Sequence, residues 1–143
     1  IGFSSIFWNT AWTNKQPPHT LGILCDPAHP ALTAFPTEGY GDYQWWDLVS
    51  NCNAMVLDDF PADYRPVVQL IDDWFTNRKL GILLEGKVGN GKLMVCSADL
   101  QKDLDKRPAA RQLRQSILQY MASDRFNPSA SLDPALVKAL YQK

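Results

Sequence analysis

Gly86-Lys-Val-Gly-Asn-Gly91-Lys92 carries the G-x-x-x-x-G-K spacing with which a glycine-rich loop wraps phosphates. The next residue is Leu93, so the Ser or Thr hydroxyl that would hold Mg²⁺ is missing. A phosphate loop also needs a helix after it, with the helix N-terminus facing the anion. Here Leu93-Met-Val-Cys-Ser97 is a β-type run. Asn90-Gly91 between two β-rich runs is a hairpin signal, and a tight hairpin is the expected structure.

The carboxylates are numerous and scattered. Asp58-Asp59 and Asp72-Asp73 are adjacent pairs, but neighbours on a strand point to opposite faces, so neither pair converges on one bond by itself. A glycosidase needs two carboxyl groups about 5–10 Å apart across a sugar. Glu85, inside the apolar run Leu80-Gly-Ile-Leu-Leu-Glu85, and Asp99 are the acids weighed as proton donors. Glu85 reads more simply as a paired or edge acid. His19 and His29 are the only histidines, and metal sites usually take three or four ligands. His29, between Ala28 and Pro30, reads as a turn cap. Cys25, Cys52 and Cys96 have no CxxC spacing, and Cys25 and Cys96 follow apolar runs, where a thiol acts as a small hydrophobe. A disulfide between two of them stays open if the parent chain is exported. Ser97, Ser116 and Ser123 lack a G-x-S-x-G elbow. The expectation is therefore no catalytic residue, no metal and no cofactor.

The aromatic residues offer a different chemistry. Trp8, Trp12, Tyr40, Tyr43, Trp45, Trp46 and Trp74 crowd the first half. Exposed rings stack on sugars or anchor a protein partner, whereas buried rings fill a core. Trp12, Tyr40, Tyr43 and Trp45 are the carbohydrate-binding candidates. Trp46 and Trp74, with apolar neighbours, read as core. Trp45 and Trp46 lie about 100° apart on a helix, so one can face in and the other out.

These residues must be positioned by recognisable elements. The chain has 143 residues, 45% apolar and 20% charged, enough for one core. Its net charge of −1 gives no electrostatic footprint for nucleic acid or an anionic membrane. Residues 3–8 and 21–25 read as strands, 31–35 as a short helix after Pro30, and 42–52 as a helix capped by Asp42. In that helix Trp45, Trp46, Leu48 and Val49 form one apolar stripe. Residues 54–57 read as a strand. Residues 66–98 read as an antiparallel block of three strands. Ala109–Ser123 is the clearest helix, with Leu113, Ile117, Leu118 and Met121 at helical spacing. Asp133-Pro134 starts a terminal helix with Leu136, Val137 and Leu140 on its apolar face. The expected fold class is α/β: a mixed sheet of about five strands flanked by helices. Residues 1–127 form one domain and 128–143 a helical extension packed on it or on a parent enzyme.

Several stretches together resemble a known family. They are Phe7-Trp8-Asn-Thr, Pro18-His19-Thr-Leu-Gly-Ile23, His29-Pro-Ala-Leu32, Phe35-Pro-Thr37, Gln44-Trp-Trp46 and Gly91-Lys-Leu-Met-Val95. They resemble the C-terminal region of bacterial family-2 glycoside hydrolases of the β-galactosidase-like kind, from about residue 3 to residue 127. A weaker likeness is to a glutamine-amidotransferase-like α/β domain, the type that trimerises some β-galactosidases. This would be an amidotransferase- or flavodoxin-like half-domain without its Cys-His-Glu machinery. The resemblance implies a non-catalytic accessory domain of a larger hydrolase, in a periplasmic or secreted setting. It would serve domain contact, stability or oligomerisation. Its partners would be other domains of the parent, a second copy or a glycan. The first strands of the full domain would then lie upstream of Ile1. A carbohydrate-binding module is the alternative reading.

Overall fold

The computed structural model describes the backbone of residues 2–3 and 19–141 and the side chains of residues 20–141. Trp8, Trp12, the side chain of His19 and most of the expected strand 3–8 lie outside the described residues.

The described residues form an α/β domain with a five-stranded sheet and three α-helices. The described elements are β1 (Gly2–Phe3), β2 (His19–Thr20), β3 (Gly22–Cys25), α1 (Tyr43–Ser50), β4 (Met55–Val56), β5 (Val68–Ile71), β6 (Lys79–Val88), β7 (Gly91–Cys96), α2 (Pro108–Met121) and α3 (Pro134–Ala139). A short 3-10 turn, Pro30–Leu32, precedes α1. The ten-residue β6 organises the sheet. Leu83 pairs with both Val68 and Cys96, and Gly81 with both Gln69 and Met55. Strand β5 therefore holds one edge of β6, while β4 and β7 follow each other along the opposite edge. Strand β3 lies outside β5. Every ladder of this sheet is antiparallel; β1 and β2 pair in parallel.

A β-bulge decides which way the second half of β6 faces. The register slips between Val68 and Gln69, which oppose Leu83 and Gly81, so Ile82 is the extra residue. An extra residue breaks the two-residue alternation of a strand. Leu80, Ile82 and Leu83 all enter the core under α1 and α2, and Leu84 enters the core on the other face. The alternation resumed after the bulge brings Glu85 to the helix side, where the Tyr120 hydroxyl meets it.

The opposite face is covered by the 57–66 connection and the C-terminal segment. Leu57, Phe60, Tyr64, Leu84, Val95 and Leu132 pack there, with Leu136, Val137 and Leu140 of α3 against them. The terminal segment is stitched to β6 by Lys87 N–H to Ala130 O and Leu132 N–H to Lys87 O, each 2.8 Å. Leu132 rests on the missing side chain of Gly86. The Tyr64 hydroxyl donates to the Glu85 carbonyl at 2.9 Å, and burial, the largest influence, pushes that phenol up to about 12.

The helices follow the expected spacing, with two corrections. In α1, Trp45, Leu48 and Val49 are buried, but Trp46 is 54% exposed. A four-residue stripe was too wide for a helix that buries one narrow face. Trp45 packs edge-on to Phe35 at 5.1 Å, and its Nε1 donates to Thr37 Oγ1 at 2.7 Å. In α2 the inward face is Ala110, Leu113, Ile117 and Tyr120, while Leu118 and Met121 are exposed. The Tyr120 hydroxyl has a partner inside, so the amphipathic tyrosine takes the inward position. Trp74 is also half exposed, not core. It sits with Phe75 in the β5–β6 loop.

Two carboxylates shape that loop. Asp73 Oδ1 accepts the Phe75 and Thr76 N–H groups at 2.8 and 2.9 Å. Asp72 takes Arg78 N–H and Nε on Oδ2 at 2.9 and 2.8 Å, and Arg78 Nη2 on Oδ1 at 3.2 Å. Burial pushes the Asp72 carboxyl up, but the bonds and charge of Arg78 and the Asp73 N–H outweigh it and hold the group below its ordinary value. A folded value below the unfolded one stabilises the protein above the unfolded value and is lost as pH falls through the folded one. Denaturant melts of Asp72→Asn should therefore show lower stability than the parent at neutral pH. The gap should narrow below about pH 4.

Candidate functional site

His29, Glu85 and Tyr120 meet between the sheet, the 3-10 turn and α2, from positions far apart in the sequence. The Tyr120 hydroxyl donates to Glu85 Oε2 at 2.8 Å. His29 Nε2 lies 3.5 Å from Glu85 Oε1. The His29 and Tyr120 rings stand edge to face with centroids 5.7 Å apart, and Phe126 packs on Tyr120 in the same manner at 5.2 Å. Glu85 and His29 side chains keep 16% and 22% of their surface exposed, so water reaches the edge of the cluster.

The backbone fixes the imidazole tautomer. His29 caps the 3-10 turn by accepting the Ala31 N–H on Nδ1 at 3.2 Å. The proton of the neutral ring must then sit on Nε2, facing the carboxylate. Both imidazole nitrogens and both Glu85 oxygens are thus engaged. Burial, followed by the bond to Glu85 and that residue's charge, pushes the Tyr120 phenol far above its ordinary value. The cluster works as a polar cross-link between three elements. Tyr120→Phe leaves Glu85 Oε2 without its donor. Chemical denaturation should show a loss of about 1–2 kcal/mol, and an unchanged midpoint would contradict the cross-link.

Three other acids are engaged in the same structural manner. Asp99 Oδ1 accepts the Gln101 and Lys102 N–H groups at 3.0 and 3.1 Å. These bonds hold its carboxyl below the ordinary value, the wrong direction for the proton donor weighed from sequence. Asp47 receives Arg107 Nε on both oxygens at 2.9 and 3.0 Å, tying α1 to the start of α2. Asp58 accepts the Lys79 N–H at 2.7 Å. Among the described residues no group of three His, Cys, Asp or Glu side chains is placed to hold a metal.

The glycine-lysine motif divides into separate structural tasks. Gly86 makes room for Leu132, whose Cγ and Cδ1 a Cβ would overlap. Gly89, at φ +57°, takes the first position of the two-residue turn and Val88 pairs with Gly91. Lys92 Nζ donates to the Phe126 carbonyl at 2.6 Å. No disulfide joins the three cysteines. Burial pushes Cys52 and Cys96 up to about 11, which suppresses the nucleophilic thiolate.

The aromatic candidates separate by exposure. Trp45, at 0% exposed, has no face for a sugar ring, so that expectation is corrected: Trp46 is the outward tryptophan of the pair. Tyr43 is 94% exposed and Tyr40 62%. Tyr43 and Trp46 are three residues apart on α1 and share its outer side. Tyr40 pairs with the half-exposed Leu24 at the outer side of β3.

A family model described as a domain of unknown function, DUF8487, matches residues 1–142. The chain belongs to that family. No curated protein matches it. No helix of the described part of this DUF8487 domain is long and apolar enough to cross a membrane.

Proposed function

We propose that this DUF8487 domain is a non-catalytic accessory module whose task is contact: with other domains of a parent enzyme, or with a second copy. The resemblance to the C-terminal region of β-galactosidase-like hydrolases supplies the parent. The observation that carries the reading is the outer face of α1, where Tyr43 and Trp46 stand exposed on one rigid helix. That helix is anchored from below by Trp45 and from the side by the Asp47–Arg107 pair. Large rings held on a fixed backbone lose little entropy on docking and commonly dominate contact energies.

The test is a Tyr43→Ser, Trp46→Ser double variant, added in trans to the rest of the encoded polypeptide. Folding should be retained, because both side chains are exposed. Association should weaken at least about 30-fold, the size of a 2 kcal/mol hot spot. Unchanged association overturns the contact reading. Saturable binding of a β-galactoside that Tyr43→Ser abolishes would replace it with the carbohydrate-binding one, and turnover of an aryl-galactoside by the domain itself would overturn both.

A further inference from the structure

The geometry points to a binding site for a small neutral amphiphile in the cleft between β4, the end of β7 and α3. This cleft lies apart from the aromatic face of α1 and does not depend on it. Its volume is about 420 Å³, within the range of small-molecule sites. Its apolar lining is Met55, Val56, Phe60 and Val95 from the sheet side and Leu136 and Leu140 from α3. At Asn53 and Ser97 it adjoins a second depression of about 410 Å³, since both residues line both spaces. The second space is polar, lined further by Ser50, Asn51 and Asp99. An apolar compartment opening onto a hydrogen-bonding one matches a ligand with a tail and a head.

Ser97 stands at that junction. It is where β7 leaves β6, its N–H donating to the Ile82 carbonyl at 2.9 Å. Its Oγ is shielded and has no hydrogen-bond partner, an unfavourable state for a hydroxyl. Rotation about χ1 toward the cleft would let a ligand head supply the missing partner. The charges limit the head. Among the described residues no Lys, Arg or His lines either compartment, whereas Asp59 lines the first and Asp99 the second. An anionic head would be repelled. A cationic head would find Asp99 already bonded to two backbone N–H groups and 4.0 Å from Arg107. A neutral head of hydroxyls or amides is the remaining fit.

Octyl glucoside, kept below its micellar concentration, is a suitable probe for the intact 143-residue chain. Calorimetry and amide-shift mapping should show saturable one-to-one binding at Ser97 and α3, with octanoate and free glucose failing to bind. Ala139→Trp, which fills the apolar compartment, should weaken binding at least about 10-fold. Asn53→Leu, at an exposed position that keeps the fold intact, should weaken the glucoside several-fold and so tests the site even if Ala139→Trp misfolds. Absence of saturable binding, equal affinity for octanoate, or indifference to both substitutions overturns the proposal. So does self-association that Ala139→Trp abolishes with no glucoside bound, because the cleft would then hold a second copy.

Discussion

Gly86→Ala lowers the stability of the domain by about 3 kcal/mol, as expected for forcing a methyl into a filled core with loss of a buried leucine. The added Cβ would overlap Leu132 Cγ and Cδ1, and the Ala130 carbonyl lies close behind. Leu132 must then leave its 4% exposed seat, straining the two backbone bonds that join residues 130–132 to Lys87. The midpoint of thermal unfolding should fall by roughly 10 °C. A second substitution, Leu132→Ala, should remove the clash, so that the double variant loses at least about 1 kcal/mol less than the sum of the single ones. A neutral Gly86→Ala, or strict additivity, would show that the terminal segment does not rest on β6 as described.

Trp45→Ala is the other large effect, at about 4 kcal/mol in urea unfolding, while Trp46→Ala costs under about 1 kcal/mol. The two residues are adjacent in sequence and opposite in environment. Trp45 loses its edge contact with Phe35 and leaves Thr37 without its donor. Trp46 is half exposed, so its removal opens no cavity of comparable size. The reverse ranking would place Trp46 in the core and withdraw it from the contact face of α1.

Much of the element order was legible because local chemistry decides it. The 80–98 hairpin, read from Asn90-Gly91 although its turn sits one residue earlier on Gly89-Asn90, and the Asp133-Pro134 helix start each rest on one or two residues whose backbone preferences are strong. The five-stranded α/β class follows from those elements. What periodicity could not supply was direction. On α1 and α2 the inward face is chosen by partners from distant segments: Phe35 and Thr37 for Trp45, Glu85 and Phe126 for Tyr120. The His29–Glu85–Tyr120 cluster was invisible for a sharper reason. It depends on the bulge at Ile82, which reverses the facing of every later residue of β6. Leu80-Gly-Ile-Leu-Leu-Glu85 carries no signal of that irregularity, since an apolar run hides its own alternation. The capping task of His29, by contrast, was readable from its place before Pro30.

The contact reading of this DUF8487 domain makes α1 a surface that is open in isolation and covered in place. Hydroxyl-radical footprinting of Tyr43 and Trp46 tests this directly, comparing the dilute 143-residue chain with the complete encoded polypeptide. Both residues should oxidise at least about threefold more slowly in the complete polypeptide, the protection expected of a fully desolvated anchor, with Leu118 on the outer side of α2 unchanged as a reference. Equal oxidation rates for Tyr43 and Trp46 in the two samples would contradict it.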